Sequence, residues 1–479
     1  MGRACLGPAI LVITGLLAGC ERTTAKETDT SGSPSPDADT DTDTDTDTAS
    51  PPGAPLAIGT HHITESWPEQ SILDDTQPGF LRVNIPAGTW ATWTTSPERI
   101  DWDELDEVIL GNGDRLLLVT VYASHSGLSG DTEPKIPETT EELESFDAWV
   151  GLLAERYGAV VEAWQLANEV DSSDKWPPDR FADYATLLSR FRDTIHTHSP
   201  EARLAVAGIS GAASTSIKPA VIDLLTAIAA HDPTAAQIFD LHSHRSWTEA
   251  ELGGDRVSAY REALAAEVPA LGDIAFILTE SSTWVDDPES SGDGPQTEDE
   301  QAAHAAASTM AALGAGAEWC VVGVPMDRVE WMGEDALHKY NLNGLFYNPD
   351  KTYSDGTHEG PKKVAWTTAL LAHLVAGHEA GDITGVSTAN PDLRRVEITA
   401  GGEAVAAVTW WTGEAPTTQE VPTVGDGDTQ RVQPTIPVDG AAWPPDDLGL
   451  AFPSTLIATV DGTLTLTLAP HVPVILLAD

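Results

Sequence analysis

From Leu56 onward, short unbroken apolar runs alternate with stretches whose apolar positions recur every three or four residues. LAIGTHHI and FLRVNIPAG are runs of strand length, the second with Arg82 inside it. ERIDWDELDEVILGNGD then has Ile100, Leu105, Val108 and Ile109 at helical spacing and stops on glycine, the usual end signal. LLLVTVYAS follows without a polar break, as a strand buried on both faces does. The alternation continues with a helix over SFDAWVGLLAERYG, a strand ending at LANEV, a helix over FADYATLLSRFRDTIHTHSP and the strand RLAVAGIS. After these come a helix over AVIDLLTAIAAH, the strand FDLHSHRS, a helix over YREALAAEVPAL and the strand AFILTE. EDEQAAHAAASTMAALGAG leads to the eighth strand, AEWCVVGVP. Eight strands separated by helices predict an α/β chain folded as a (β/α)8 TIM barrel over 56–377. A doubly wound open sheet would normally carry a G-x-G-x-x-G phosphate loop, and the sequence has none. After KKVAWTTALLAHLVAG the period changes. AVAAVTWWTG, QRVQPTIPV, STLIATVDG and TLTLTLAPHVPVILLA are β-branched or alternating runs between Gly, Pro and Asp turns, predicting an antiparallel β-sandwich over 378–479.

The stretch before Leu56 reads differently. MGRACLGPAILVITGLLAGC has a basic Arg3, an apolar run to Leu17, and the small residues Ala18 and Gly19 before a cysteine. It resembles a bacterial lipoprotein signal over residues 1–19, with Leu17-Ala18-Gly19-Cys20 as the lipobox. That likeness implies lipidation at Cys20, which would hold an exported chain at a bacterial membrane, the outer membrane or cell surface, without a spanning helix. Residues 20–55 are Thr, Asp, Ser and Pro around DADTDTDTDTDT, with too little apolar surface to fold and like charges that repel, so an extended, disordered tether is expected. Of three cysteines, Cys5 lies in the leader and Cys20 at the lipid site, leaving Cys320 alone in an apolar strand, so no disulfide framework is expected.

Composition narrows the partners. The net charge of −50, from 75 acidic against 25 basic residues, repels nucleic acid and polyanions and favours a neutral substrate. Tryptophan supplies 15 residues beside 7 Tyr and 8 Phe. Trp90, Trp93, Trp176, Trp247, Trp284 and Trp331 all follow predicted strands, where flat rings could stack on sugar faces. Trp90, Trp284 and Trp331 are taken as substrate-binding candidates, whereas Trp102, Trp149 and Trp366 fall in predicted helices and should pack.

Two strands end on carboxylates. EAWQLANEVD delivers Glu169, after Asn168, to a polar loop, and AFILTESSTW delivers Glu280. A lone Glu at a strand end is more often a solvated terminus. A pair at the mouths of two parallel strands is what a retaining glycosidase needs, one to protonate the leaving oxygen and one to attack the anomeric carbon. WQLANEV and ILTES, with RVNIPAGTWATW followed by RIDWDELDEVI and with NGLFYNPD before GPKKVAW, resemble in order and spacing the retaining glycoside hydrolases of the (β/α)8-barrel clan, similar to cellulase and β-xylosidase families.

The resemblance implies that Glu169 is the general acid/base, that Glu280 is the nucleophile and that Asn168 bonds the sugar 2-hydroxyl. It also implies that Arg82 favours an ionised nucleophile, and that the carboxyl groups stand about 5 to 5.5 Å apart. The substrate would be a neutral, β-linked oligo- or polysaccharide, with no cofactor and no metal. On the sixth strand the family's tyrosine, often preceded by a histidine, is missing. His242, Ser243 and His244 stand there, so either His244 takes its place or the register shifts, and both histidines are substrate-binding candidates. His242 and His244 also read as an H-x-H metal pair completed by His61 or His62. A metal-dependent barrel hydrolase and a catalytically inactive glycan-binding surface lipoprotein are therefore the competing readings.

Overall fold

The computed structural model describes residues 56–62, 73–74, 78–85, 89–123, 136–173, 175–210, 217–243, 247–250, 252–285, 296–329, 341–425, 429–435, 437, 441, 443, 451–459 and 462–478. The leader, Cys20, the tether to residue 55, His244 and Trp331 lie outside them, as do the side chains of His61, His62 and Trp247.

Eight parallel strands follow one another in chain order: β1 (Ala57–His62), β2 (Phe80–Asn84), β3 (Leu116–Val121), β4 (Ala163–Leu166), β5 (Arg203–Ala205), β6 (Ile238–His242), β7 (Ala275–Glu280) and β8 (Ala317–Met326). β8 pairs back onto β1, closing the expected barrel. Among the described residues the surrounding helices are α1 (Thr89–Thr95), α2 (Trp102–Ile109), α3 (Thr140–Tyr157), α4 (Phe181–His198), α5 (Pro219–His231), α6 (Leu252–Glu267), α7 (Glu298–Gly314) and α8 (Lys363–Val375). α3 begins earlier than its apolar spacing suggests, because Thr139 and Glu142 form a capping box. α6 also begins well before Tyr260. Gly253 and Gly254 lower helix propensity at its start, yet Gly254 admits the neighbouring helix, since a Cβ there would meet the Ala311 carbonyl oxygen of α7 at 2.4 Å.

Side chains alternate in and out along a strand, so steps of two residues read the barrel interior in layers. The lower layer is apolar: Phe80, Leu118, Ala163, Ile238, Ile277 and Trp319 belong to one buried cluster. Two residues further along β2, β3, β4, β6 and β7 stand Arg82, Thr120, Gln165, Asp240 and Thr279, all buried and all polar. The alternate positions, such as Val83, Val119, Trp164, Phe239 and Leu278, join the core beneath the helices. Cys320 is buried on β8, where desolvation pushes its thiol pKa up and leaves it inert.

Past β8 the chain adds β9 (Gly344–Tyr347), parallel to the end of β8, and β10 (Gly360–Pro361). β11 (Ile383–Gly385), β12 (Leu393–Ala400), β13 (Glu403–Trp411), β15 (Thr429–Val432), β16 (Ser454–Ile457) and β18 (Val474–Ala478) form one sheet in the order β11-β12-β13-β18-β15-β16, and β14 (Thr417–Pro422) pairs with β17 (Thr463–Leu468). Together they make the expected C-terminal antiparallel sandwich. Leu464, Leu466 and Leu468 of the smaller ribbon cluster with Ala407 and Leu476 of the larger sheet. The opposite face of that sheet, with Val396, Ile398, Val408 and Ile475, joins the core of the barrel helices. TLTLTLAPHVPVILLA, read as one run, is two strands in different sheets around Pro470. β12 was hidden by its alternating charges Arg394, Arg395 and Glu397.

Candidate active site

The exit of β4 is shaped by backbone. Ala167 has φ 65° and Glu169 has φ 52°, both left-handed, where residues other than glycine are uncommon. Neighbouring strands hold them there: the Ala167 N–H donates to the Val121 carbonyl at 2.8 Å and the Glu169 N–H to the Gly208 carbonyl at 2.7 Å. In a regular strand consecutive side chains point to opposite faces. Here Asn168 and Glu169 both reach the barrel mouth, Asn168 to Arg82 and Glu169 to His242.

Arg82, 0 % exposed, ties the mouth together. Its Nη1 donates to Glu280 Oε1 at 2.7 Å, its Nη2 to Asn168 Oδ1 at 2.6 Å and Gln165 Oε1 at 2.9 Å, and its Nε to Thr120 Oγ1 at 3.2 Å. Burial works against this charge, but Glu280 and Asp240 outweigh it and the pKa is raised. Gln165 passes the network on, donating to Asp240 Oδ2 at 2.7 Å, and Thr279 donates to the same carboxylate from its backbone and its hydroxyl.

His242 is 1 % exposed and sits below both glutamates rather than beside open solvent. Its Nδ1 lies 3.6 Å from Glu169 Oε1 and 3.5 Å from Glu280 Oε2, and its Nε2 lies 3.6 Å from Asp240 Oδ2. Burial disfavours the imidazolium, yet Glu280, followed by Asp240 and Glu169, raises the pKa to about 10, so the ring is charged at neutral pH. The ring fits because residue 208 is glycine. A Cβ there would meet His242 Nε2 at 2.0 Å and Asn168 Oδ1 at 2.8 Å.

One carboxylate oxygen of Glu169, one of Glu280 and a ring nitrogen of His242 all lie within 4.8 Å of one another. The side chains of Glu169 and Glu280 are 31 % and 18 % exposed, so both can meet a ligand from solvent. Two carboxylates, one of them bonded to Arg82, therefore share one mouth with a buried histidine. Among the described residues this trio is also the group that could hold a cation, while His244, the other half of the expected H-x-H pair, lies outside them. A cation there would have to displace the His242 proton and share Glu280 with Arg82.

Arg82, Asn168, Glu169, His242 and Glu280 are thus brought together; the tryptophans described here are not. Trp90, expected as a sugar platform, is 1 % exposed, edge-on to Phe146 and bonded through Nε1 to Ser145, because α1 turns it inward. Trp284 is packed with Leu342 and Tyr353, and Trp176 lies edge-on to Tyr184 with its Nε1 bonded to the Arg180 carbonyl. Trp93 leans on Trp149 at 5.7 Å. His242, expected to touch substrate, instead underlies the carboxylates. The sequence reading missed Thr120, Gln165, Asp240 and Thr279, which a two-residue step from each interior apolar position would have found. It also missed Tyr122, just past β3, whose hydroxyl lies 3.4 Å from Asn84 Nδ2. Burial pushes the Tyr122 phenol up to about 12, Arg82 opposing and Glu280 and Glu169 adding to the rise, so it remains a hydrogen-bond donor.

No protein-family model matches the sequence, and no curated protein sequence matches it. Solved structures do match in shape. A family 39 glycoside hydrolase from the gut symbiont Bacteroides cellulosilyticus WH2 superposes with a TM-score of 0.60 at 14 % identity, over 89 % of this chain and 81 % of that one. The catalytic domain of the GH30 xylanase C from Talaromyces cellulolyticus gives 0.55 at 10 % identity, over 89 % and 98 %. An α-L-arabinofuranosidase from Thermotoga maritima gives 0.53 at 11 % identity, over 88 % and 96 %. At such identities the likeness is one of fold.

Proposed function

We propose that the chain is a retaining glycoside hydrolase that cleaves O-glycosidic bonds of a neutral, β-linked glycan by double displacement. The observation that carries this reading is the approach of the two carboxylates, within 4.8 Å at their nearest ligand atoms, with Arg82 bonded to one of them. Retaining enzymes keep this gap near 5 to 5.5 Å, whereas inverting ones leave room for a water at roughly 6.5 Å or more. Glu169 then protonates the glycosidic oxygen while Glu280, oriented by Arg82, attacks the anomeric carbon. In the second half Glu169 takes a proton from the water that releases the sugar. The structural neighbours named above are glycoside hydrolases, which supports the same class, and the acidity of the chain favours a neutral substrate.

The test is hydrolysis of aryl β-glycosides and neutral β-glucans, xylans and mannans by the wild type, Glu169→Gln and Glu280→Gln. Activity should fall in both variants, by about 10²- to 10⁴-fold for Glu169→Gln on substrates that need acid assistance. A substrate cleaved equally well by the variants would overturn the assignment. Glycan binding without cleavage by the wild type would point instead to a non-catalytic surface binder.

We also propose, from the lipobox likeness alone, that a lipid at Cys20 holds the protein at a bacterial membrane. No described helix is long and apolar enough to span one. Cys20→Ala should move the chain from the membrane fraction to the soluble fraction with hydrolysis of soluble substrates unchanged. Wild type found soluble would rule the anchor out.

A further inference from the structure

We propose that a clamp of Asp171, Ser210 and Lys218, built on a buried carboxylate, positions Glu169 for proton donation. This rests on the reading of Glu169 as the acid/base and goes beyond it. Glu169 lies in a left-handed conformation that L side chains rarely adopt, so something must hold it there. Two residues on, the Asp171 side chain is 0 % exposed. Its Oδ1 accepts from the Ser210 N–H at 2.8 Å, and its Oδ2 accepts from Ser210 Oγ at 2.9 Å and Lys218 Nζ at 2.6 Å. Lys218 Nζ also donates to Ser210 Oγ at 2.7 Å.

Ser210 and Lys218 resemble a nucleophilic pair in distance alone. The serine hydrogen is committed to Asp171 and the ammonium hydrogens to Asp171 and Ser210, so neither can activate the other, and the cluster braces instead. It braces the exits of β4 and β5. Asn168 bridges Gly208, the Glu169 N–H donates to the Gly208 carbonyl, the Ser172 N–H closes a turn onto the Glu169 carbonyl at 2.9 Å, and Asp171 is fastened to Ser210. The left-handed residue is therefore fixed on both sides against one neighbouring strand. Glu280 stands on β7 and is bonded to Arg82 of β2, which also holds Asn168, so the clamp reaches the nucleophile only at one remove through that arginine. Loosening the clamp should move the proton donor more than the nucleophile.

That separation can be read from leaving groups. Dinitrophenol departs without a proton, whereas phenol and sugar hydroxyls depart poorly unless protonated. In the full chain, Lys218→Met should lower kcat/KM on the phenyl β-glycoside about 100-fold, as a displacement near 1 Å does. On the dinitrophenyl β-glycoside of the same sugar the change should stay within about threefold. Glu169→Gln is the reference and should show the same split, and Lys218→Arg should restore part of the phenyl activity. Should Lys218→Met fail to fold, Ser210→Ala keeps the ion pair and should give a smaller split of about fivefold, the worth of one hydrogen bond. Equal losses on both substrates, or none, while Glu169→Gln does split them, would overturn the clamp's role. If Glu169→Gln shows no split, the acid/base reading fails and the clamp's role falls with it.

Discussion

At His242 one imidazole faces Glu169 from the exit of β4, Asp240 from its own strand and Glu280 from β7, with the Thr279 hydroxyl 3.4 Å from its Nε2. Its pKa rises from 6.5 to about 10 on folding, because those carboxylates outweigh the burial that opposes it. The folded state then binds more protons than the unfolded chain between these values, so stability falls as pH rises through them. The contribution is fully present below about pH 6.5 and lost by about pH 10. Against His242→Gln, which cannot titrate, the wild type's advantage in urea midpoint should hold up to about pH 6 and shrink steadily towards about pH 9.5. A difference that stays flat over that range would mean the ring is already neutral. The sequence made His242 visible as a substrate-binding candidate on the sixth strand and as half of an H-x-H pair, but not as a partner of the two glutamates. The residues that charge it were hidden because Asp240 stands inside FDLH, a run read for its apolar residues, and Gln165 likewise inside AWQL. Arg82, Asn168, Glu169 and Glu280 were legible because each interrupts or ends an apolar run at the barrel mouth, where the chain has little structural reason to put it.

The strands announced themselves as elements because parallel barrel strands are buried on both sides and so read as nearly unbroken apolar runs. Helices were legible in their middles and not at their starts, where caps and close helix packing decide. α1 shows the consequence. Trp90 and Trp93, expected after β2 to offer their rings to a sugar, lie instead on a helix that sets them three residues apart on one face, against Phe146 and Trp149 of α3. Trp90→Ala should therefore cost roughly 3 to 5 kcal/mol of stability, the range for emptying a large aromatic from a core, with KM unchanged in the folded fraction. Chemical denaturation beside steady-state kinetics separates the roles: a raised KM with little loss of stability would return Trp90 to the sugar site. The antiparallel strands were harder, since β12 mixes Arg394, Arg395 and Glu397 among Leu393, Val396 and Ile398, and its apolar positions make sense only once the sheet is known to separate two cores.

Across the whole molecule that sheet matters most. Its inner face closes a small sandwich core against β17, and its outer face shares a continuous apolar cluster with the barrel helices. Gly314, at the end of α7, comes close enough that a Cβ there would meet Val396 Cγ2 at 2.9 Å. Polar links cross the same boundary, Thr367 of α8 donating to the Pro434 carbonyl at 2.7 Å and Arg394 reaching Asp255 of α6. Domains joined by small polar contacts move and unfold separately, whereas a large apolar interface couples them. The barrel also gains from the coupling, because the C-terminal end of α7, at Gly314, lies against Val396 and Gly385 and would be uncovered without the sandwich. Residues 56–479 should therefore unfold in one calorimetric transition, with equal calorimetric and van't Hoff enthalpies. A fragment ending at residue 377 should be poorly soluble, and should lose tertiary signal at a lower temperature if recovered. Two resolved transitions, or a barrel fragment as stable as the whole, would show that the sandwich is an appendage and that the shared cluster contributes little to folding.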